Sequence, residues 1–305
     1  MNLNRRNLLK IAGAAGAALG ATAASRALAS TTTRGAAKDA VGVLVDTTRC
    51  VGCRACEAAC SEANALAAPE KPGDDAVFAS RRRTSPTSYT VVNKSAEKSP
   101  GGEARFAKTQ CMHCVTPACA SGCVVKALEK TAAGPVIYHE DRCLGCRYCM
   151  IACPFSVPKY EYAKAVPLVK KCTFCAERQK KGLAPACTEV CPSGALQFGK
   201  RADLLEEAKT RIYTNPNAYV HKIYGEDEAG GTSWLYISDV PFESLTLPAG
   251  VEKKSYPEMA DGALSAVPFV ITLWPPLLMG MYTFSKRRDE VAAAEGNGKQ
   301  EEGHV

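Results

Sequence analysis

The stretch "RCLGCRYCMIACP" (Arg142–Pro154) decides the fold, because it places four cysteines within eleven consecutive positions. An earlier stretch, "RCVGCRACEAAC" (Arg49–Cys60), has the same cysteine spacing and shares Arg, Gly, Arg and Ala at matching positions. Each stretch follows a short apolar run, "VGVLV" at 41–45 and "PVIY" at 135–138, which predicts a β-strand. The two stretches therefore predict an internal repeat.

All sixteen cysteines of the 305-residue chain fall into four groups of four. The first and third groups are C-x2-C-x2-C-x3-C, whereas the second and fourth each have one widened gap. No cysteine is left over. The groups are Cys50, Cys53, Cys56 and Cys60; Cys111, Cys114, Cys119 and Cys123; Cys143, Cys146, Cys149 and Cys153; and Cys172, Cys175, Cys187 and Cys191.

This is the spacing of bacterial ferredoxins, in which three cysteines of a group hold one [4Fe–4S] cluster and the fourth ligates a neighbouring cluster. Gly52 and Gly145 would let the backbone bend closely around such a group. We expect the fourth cysteine at the start of the next helix. We also expect Pro154 and Pro192 to end the cysteine loop and begin that helix.

Three other interpretations of the cysteines explain the pattern less well. A disulfide framework suits an exported protein, but C-x2-C neighbours rarely pair usefully in four matched sets. Zinc sites also use C-x2-C pairs, yet they do not require a triplet and a remote fourth cysteine before proline. Inert buried thiols do not explain the regular spacing. The pattern therefore favours iron–sulfur clusters.

Residues 1–29 have the features of an export signal. A basic start precedes an Ala/Gly-rich apolar stretch, and Ala27-Leu28-Ala29 offers a cleavage site before Ser30. The pair Arg5-Arg6 resembles the twin-arginine signal. That route carries folded, cofactor-loaded proteins, which explains how a cysteine-rich chain leaves the reducing cytoplasm with its thiolates already bound to iron.

A second apolar segment, "ALSAVPFVITLWPPLLMGMYTF" (Ala263–Phe284), has 22 residues and no charge. A membrane span needs about 20 residues. Its three prolines would kink a helix, which membrane helices tolerate. Because Lys286, Arg287 and Arg288 follow the segment, the positive-inside rule places the C-terminus in the cytoplasm and the main body outside.

Composition excludes several function classes. The net charge of +7 falls to +3 without the signal, so it does not indicate nucleic-acid binding, and Arg81-Arg82-Arg83 indicates a solvated loop. The sequence has no Ser/His/Asp set, no phosphate loop and no spare cysteine nucleophile. The four histidines form no cluster, and His113 is expected to pack or face solvent. The alternative is that His113 adjusts the reduction potential of a cluster by hydrogen bonding. Four clusters without a catalytic centre indicate an electron relay.

The order of the groups resembles the iron–sulfur electron-transfer subunits of membrane-bound bacterial oxidoreductases, such as dimethyl-sulfoxide reductase and formate dehydrogenase. It is more similar to the subunit of hydrogenase-2-type periplasmic [NiFe] hydrogenases. The resemblance covers nearly the whole chain. Besides the twin-arginine start and the C-terminal span, it is carried by "CVGCRAC" (50–56), "QCMHCVTPAC" (110–119), "CRYCMIACPFSVPKYEY" (146–162), "YGEDEAGGT" (224–232) and "VPFESLTLP" (240–248).

The resemblance implies how the cysteines are shared among four [4Fe–4S] clusters. Cys146 is present where some relatives lack a cysteine and hold a three-iron cluster. Cys60 and Cys123 are not followed by a proline, as Cys153 and Cys191 are, but this does not affect their role as ligands. The implied sets are Cys50, Cys53, Cys56 and Cys191 (site 1); Cys172, Cys175, Cys187 and Cys60 (site 2); Cys111, Cys114, Cys119 and Cys153 (site 3); and Cys143, Cys146, Cys149 and Cys123 (site 4).

The predicted fold is α+β, a duplicated ferredoxin-like domain with a C-terminal transmembrane helix. The predicted segments are a signal (1–29), a four-cluster domain (40–260), an anchor (263–284) and a cytoplasmic tail (285–305). The resemblance implies a non-catalytic subunit on the periplasmic side of the inner membrane. It would relay electrons between a hydrogenase catalytic subunit and a quinone-reactive membrane subunit. A molybdopterin partner and a zinc- or disulfide-held scaffold are the alternatives.

Overall fold

The computed structural model describes residues 40–69 and 74–301, so the predicted signal lies outside the described residues. The described chain divides into one compact unit that ends at Tyr256 and a second that begins at Pro257. Short 3-10 helices lie at Asp75–Phe78, Glu140–Arg142, Glu228–Gly230 and Phe242–Leu245. The helices and strands in chain order are β1 (Val41–Asp46), α1 (Ala55–Ala63), β2 (Val91–Lys98), β3 (Ala104–Thr109), α2 (Ala118–Ser121), β4 (Leu128–Lys130), β5 (Val136–Tyr138), α3 (Tyr148–Ala152), β6 (Lys159–Tyr160), β7 (Val169–Lys170), α4 (Ala176–Lys180), α5 (Ala186–Glu189), β8 (Leu196–Lys200), α6 (Arg201–Thr214), β9 (Trp234–Ile237) and α7 (Tyr256–Glu301).

A three-stranded sheet of order β8-β1-β9 forms the centre of the first unit. Strand β1 pairs antiparallel with β8, where Val43 lies opposite Phe198. It pairs parallel with β9, where Leu44 lies opposite Leu235. The strand predicted at 41–45 is thus confirmed, and so is the strand predicted at 135–138, which is β5.

The two faces of this sheet pack against different partners, because successive side chains of a strand point to opposite faces. One face, with Leu44 and Leu235, packs on Leu204 and Ala208 of helix α6. The other face, with Val43, Val45, Trp234 and Tyr236, packs in a core that includes buried or half-buried cysteines of three groups. The sheet therefore positions the cysteine-bearing loops.

Three two-stranded hairpins complete the first unit: β2-β3, β4-β5 and β6-β7, all antiparallel. Strand β3 leads directly into the second cysteine group. Strand β5 precedes the third group, as β1 precedes the first. Residues 201–247 supply α6 and β9, so the segment after the last cysteine group contributes to the core.

The second unit is the helix α7, which runs through all three prolines, Pro268, Pro275 and Pro276. Its residues Tyr256–Ala294 are long and apolar enough, by length and composition, to cross a membrane. Its described side chains from Phe269 to Phe284 are all exposed within the chain. The predicted span 263–284 lies inside this helix.

Candidate iron–sulfur sites

All sixteen cysteines lie in the described residues, and every one is a free thiol. Two of them, Cys53 and Cys146, are exposed. Because no pair is joined, the disulfide framework is not the structure of this chain. The other cysteines are buried or half-buried, and the buried ones are Cys60, Cys111, Cys119, Cys149, Cys172 and Cys187.

Each group has the same position relative to a short helix. The third cysteine is the second residue of α1, α2, α3 or α5, and the fourth follows four residues later. The expectation that the fourth cysteine begins a helix is therefore wrong. Pro154 and Pro192 follow the helical turn and prevent its continuation, because proline lacks the required N–H.

The two repeated stretches also share an unusual backbone. Gly52 and Gly145 have φ of +71° and +69°, and Arg54 and Arg147 have φ of +62° and +61°. These left-handed residues curl both loops in the same way. A Cβ on Gly52 would lie 2.8 Å from the ring of Phe106, so this loop requires glycine for its conformation and for its close approach.

The first and fourth groups meet in space at one cavity. Although Cys191 is far from the first group in sequence, both line this cavity with Lys108 of strand β3. Burial raises the pKa of Cys50 to about 11, and the neighbouring charge of Cys191 adds to the rise. The cysteines that line the cavity are Cys50, Cys53, Cys56 and Cys191.

Electrostatic neighbours bring the remaining cysteines into three more sets. Burial raises the pKa of Cys60 to about 12, and the charges of Cys187 and Cys175 contribute. Burial also raises the pKa of Cys149 to about 11, with contributions from Cys143, Cys123 and Cys146. The pKa of Cys114 is raised by burial and then by Cys153, Cys111 and Cys119.

The sets also lie in a row. Besides burial, a cysteine of another set raises the pKa of Cys56, Cys172 and Cys119: Cys187, Cys111 and Cys149, respectively. These links between sets indicate the order 1, 2, 3, 4. The exposed Cys53 belongs to the first set and the exposed Cys146 to the last, so the row reaches the surface at both ends.

Backbone N–H groups donate hydrogen bonds to several of these sulfurs. Gly145 donates to Cys143 Sγ at 3.4 Å, Phe174 donates to Cys172 Sγ at 3.4 Å, and Ala127 donates to Cys123 Sγ at 3.2 Å. Each donor lies two or four residues after its cysteine. The local loop conformation therefore supplies these hydrogen bonds.

A mononuclear metal is a poor match for these sets. Across residues 40–69 and 74–301, no three Cys, His, Asp or Glu side chains converge as they would around a single ion. A structural zinc ion needs four ligands at about 2.0–2.3 Å. A cluster separates its ligands more widely, because each cysteine binds a different iron.

Comparison with known proteins agrees with this geometry. Residues 103–201 match a 4Fe-4S dicluster domain. A protein of Nitratidesulfovibrio vulgaris is 48% identical over 96% of this chain and 80% of its own length. Hydrogenase-2 operon protein HybA of Escherichia coli O157:H7 is 40% identical over 81% of this chain and 84% of its own length. The nitrate-inducible formate dehydrogenase iron–sulfur subunit of Escherichia coli K12 is 35% identical over 66% of this chain and 68% of its own length.

The chain belongs to this family of hydrogenase-2 and formate dehydrogenase iron–sulfur subunits. A cluster held by four thiolates carries negative charge. The interior of an iron–sulfur subunit must therefore contain groups that stabilise a buried anion. The ammonium groups of Lys108, Lys130 and Lys171 are buried or nearly so, and they donate to neutral acceptors such as Gln110 Oε1 and the carbonyl of His113. Buried cations of this kind are costly unless an anion lies nearby.

Orphaned donors support the same fit. His113 is fully buried, and its ring stacks on Phe174 at 4.8 Å, so the expected packing role is confirmed. Burial lowers the pKa of His113 well below its usual value, so the ring is neutral, and its Nδ1 accepts from Val136 N at 2.9 Å. The proton therefore lies on Nε2. Neither this Nε2 nor Trp234 Nε1 has a partner within the described residues. Cluster sulfurs are acceptors that such an iron–sulfur subunit would offer to them.

Sequence reasoning missed the buried lysines and Trp234. A lysine in a strand such as β3 suggests a solvent-facing position. The only available signal was the alternation in "ARFAKT", which places Lys108 on the same side as Phe106.

Proposed function

We propose that this chain is a non-catalytic electron-transfer subunit that binds four [4Fe–4S] clusters through the four sets of cysteines described above. A bound cluster supplies one-electron transfer at a potential set by its surroundings. The observation that supports this role best is the row of four sets with an exposed cysteine at each end. The cysteines of each set hold the iron, and the apolar core around them excludes water.

The proposed ligand sets are the ones that the family resemblance implies. Site 1 uses Cys191 from the fourth group, and site 2 uses Cys60 from the first. Likewise, site 3 uses Cys153 from the third group, and site 4 uses Cys123 from the second. This exchange explains why the third and fourth cysteines of a group, four residues apart, lie near different sets.

Electrons would enter and leave this row at its two surface ends. Cys53 is flanked by the exposed Val51 at one end. At the other end, Leu144 and Ile151 are exposed beside Cys146 and Cys149. Solvent-exposed apolar side chains beside a terminal site suit protein partners, because docking would cover them.

For the partners, we favour a [NiFe] hydrogenase catalytic subunit and a quinone-reactive membrane subunit. The support is the higher identity and coverage of the hydrogenase-2 protein, 40% over 84% of its length, against 35% over 68% for the formate dehydrogenase subunit. A molybdopterin enzyme of the formate dehydrogenase kind is the second candidate. Identification of co-purified subunits, and reduction of the chain by hydrogen or by formate, distinguish the two.

We also propose that the chain is exported in its folded state by the twin-arginine route. The signal peptide 1–29 is then cleaved, and residues 263–284 anchor the protein in the membrane. The domain 40–260 would lie on the periplasmic side and the tail 285–305 in the cytoplasm. The support is the pair Arg5-Arg6 and the basic residues that follow the apolar segment of α7.

The composition of the purified chain tests the cluster proposal. We expect about sixteen iron and sixteen acid-labile sulfide per chain after anaerobic purification, because four cubane clusters contain that number. Electron paramagnetic resonance of the reduced protein should show interacting spins, since the sets are neighbours. Zinc in place of iron, without brown colour, would contradict the proposal and favour a scaffold.

Replacement of Arg5 and Arg6 by lysine tests the export route. We expect cluster-loaded protein to accumulate in the cytoplasm, because the twin-arginine route recognises the arginine pair itself and lysine does not replace it. The amount of the protein and its iron content are measured in the cytoplasmic, periplasmic and membrane fractions. The matched control is Arg26→Lys, which makes the same chemical change later in the signal and should leave export unchanged. Unchanged export of the double variant would indicate the general secretory route.

A further inference from the structure

Strand β3 carries a buried ammonium group into the first cysteine set. Lys108 is 2% exposed, and it lines the same cavity as Cys50, Cys53, Cys56 and Cys191. Its Nζ donates to Gln110 Oε1 at 3.0 Å and lies 4.4 Å from the ring centroid of Trp234. Gln110 is in turn held by Tyr236, whose hydroxyl accepts from Gln110 Nε2 at 2.7 Å. The ammonium is therefore fixed in position.

Among the described residues, Lys108 donates to an amide oxygen and faces an aromatic ring, and it forms no ion pair with Asp or Glu. The buried carboxylate next to Cys56, that of Glu57, is bound by Arg54 at 3.2 Å and Arg82 at 2.6 Å. The positive charge of Lys108 therefore acts on the thiolates around it.

The charge reaches two sets of cysteines. Trp234, whose ring centroid lies 4.4 Å from the ammonium of Lys108, packs in one core with Cys56 of site 1 and Cys187 of site 2. Lys130, in contrast, donates to the carbonyl of His113 at 2.9 Å, next to Cys114 of site 3.

We propose that the buried ammonium of Lys108 holds the reduction potentials of sites 1 and 2 above the values they would have without it. This inference rests on the proposed function, because it assumes that both sites carry clusters. Reduction adds one negative charge to a loaded site. A fixed cation in a medium of low dielectric constant stabilises that added charge, and it does so more strongly than a cation in water. Net charge and surroundings are known to set cluster potentials.

The test is a redox titration of the full-length protein, followed by electron paramagnetic resonance, for wild type and Lys108→Met. Methionine keeps most of the side-chain length and removes the charge. We expect two of the four one-electron steps to move to lower potential. At a fixed potential, the reduced-to-oxidised ratio of each should fall at least about tenfold, which corresponds to about 59 mV for one electron. The other two steps should not move.

Three further variants make the result specific. Lys108→Arg keeps the charge and should restore both potentials towards wild type. Lys94→Met removes an exposed lysine from the paired strand β2 and should shift no step. Lys130→Met should lower a different step, that of site 3. If Lys108→Met does not assemble clusters, Lys108→Gln, which can hydrogen-bond to Gln110, provides the same measurement.

Unchanged potentials in Lys108→Met, or an equal shift of all four steps, would overturn the inference. A shift no larger than that of Lys94→Met would do the same. A wild-type protein without four one-electron steps would instead overturn the proposed function. The two failures are therefore distinguishable.

Discussion

Replacement of Cys191 by serine should remove the cluster of site 1 and leave that of site 2 in place. Cys191 is separated from the first group by 130 residues of chain, yet it lines one cavity with Cys50, Cys53 and Cys56. Serine is a poorer ligand for iron than a thiolate, because iron–sulfur clusters are held by soft sulfur donors. We expect a loss of about a quarter of the iron.

The measurement is iron content together with the paramagnetic resonance spectrum of the reduced protein. Cys187→Ser is the matched variant, because Cys187 lies on the same short segment but is assigned to site 2 in the proposed ligand sets. The two variants should remove different signals. Loss of the same signal in both would mean that the fourth group holds its own cluster, and the exchange of ligands would be wrong. Because site 1 is at one end of the row, electron delivery from that side should also stop in Cys191→Ser.

The second large effect is expected from Glu57→Leu. Glu57 is 2% exposed and lies between Cys56 and Cys60 in sequence. Its carboxylate accepts from Arg54 Nε at 3.2 Å, from Arg82 at 2.6 Å and from the backbone N–H of Val92 at 2.5 Å. Leucine leaves the buried guanidinium of Arg54 and the N–H of Val92 without this acceptor. Breaking a buried ion pair in this way costs about 3–5 kcal/mol of the free energy of unfolding.

Anaerobic urea unfolding, followed by circular dichroism and by loss of the brown colour, measures this cost. The matched control is Glu103→Leu, whose carboxylate is 71% exposed and pairs with Arg105. Exposed ion pairs contribute about 0–1 kcal/mol, so this control should unfold close to wild type. Equal effects of the two substitutions would show that the buried network around Glu57 does not hold α1 to strand β2.

The sequence allowed prediction of the features that repeat or that depend on composition. The four cysteine groups, strands β1 and β5, and the long apolar helix are of this kind, because spacing and hydropathy are local signals. The position of the fourth cysteine was predicted wrongly, since a helix of four or five residues has too few residues to be read from periodicity.

Other features depend on contacts between distant residues. The pairing of β1 with β9 joins Val43 to Trp234, and no local pattern indicates it. The burial of Lys108 could not be inferred either, since the groups that compensate its charge come from two cysteine groups that are distant from it in sequence. These contacts exist only after the chain has folded.

The place of β9 in the central sheet has a consequence for the timing of biosynthesis. Strand β1 needs β9 as a neighbour, yet 190 residues separate Thr47 from the carbonyl of Ile237 that accepts its hydroxyl hydrogen bond. Such long-range pairing forms late and slowly. The sheet therefore stays incomplete while the ribosome is still synthesising residues up to 237. An N-terminal fragment that already carries all sixteen cysteines would lack Trp234 and Tyr236, so stable maturation has to wait for nearly the whole chain.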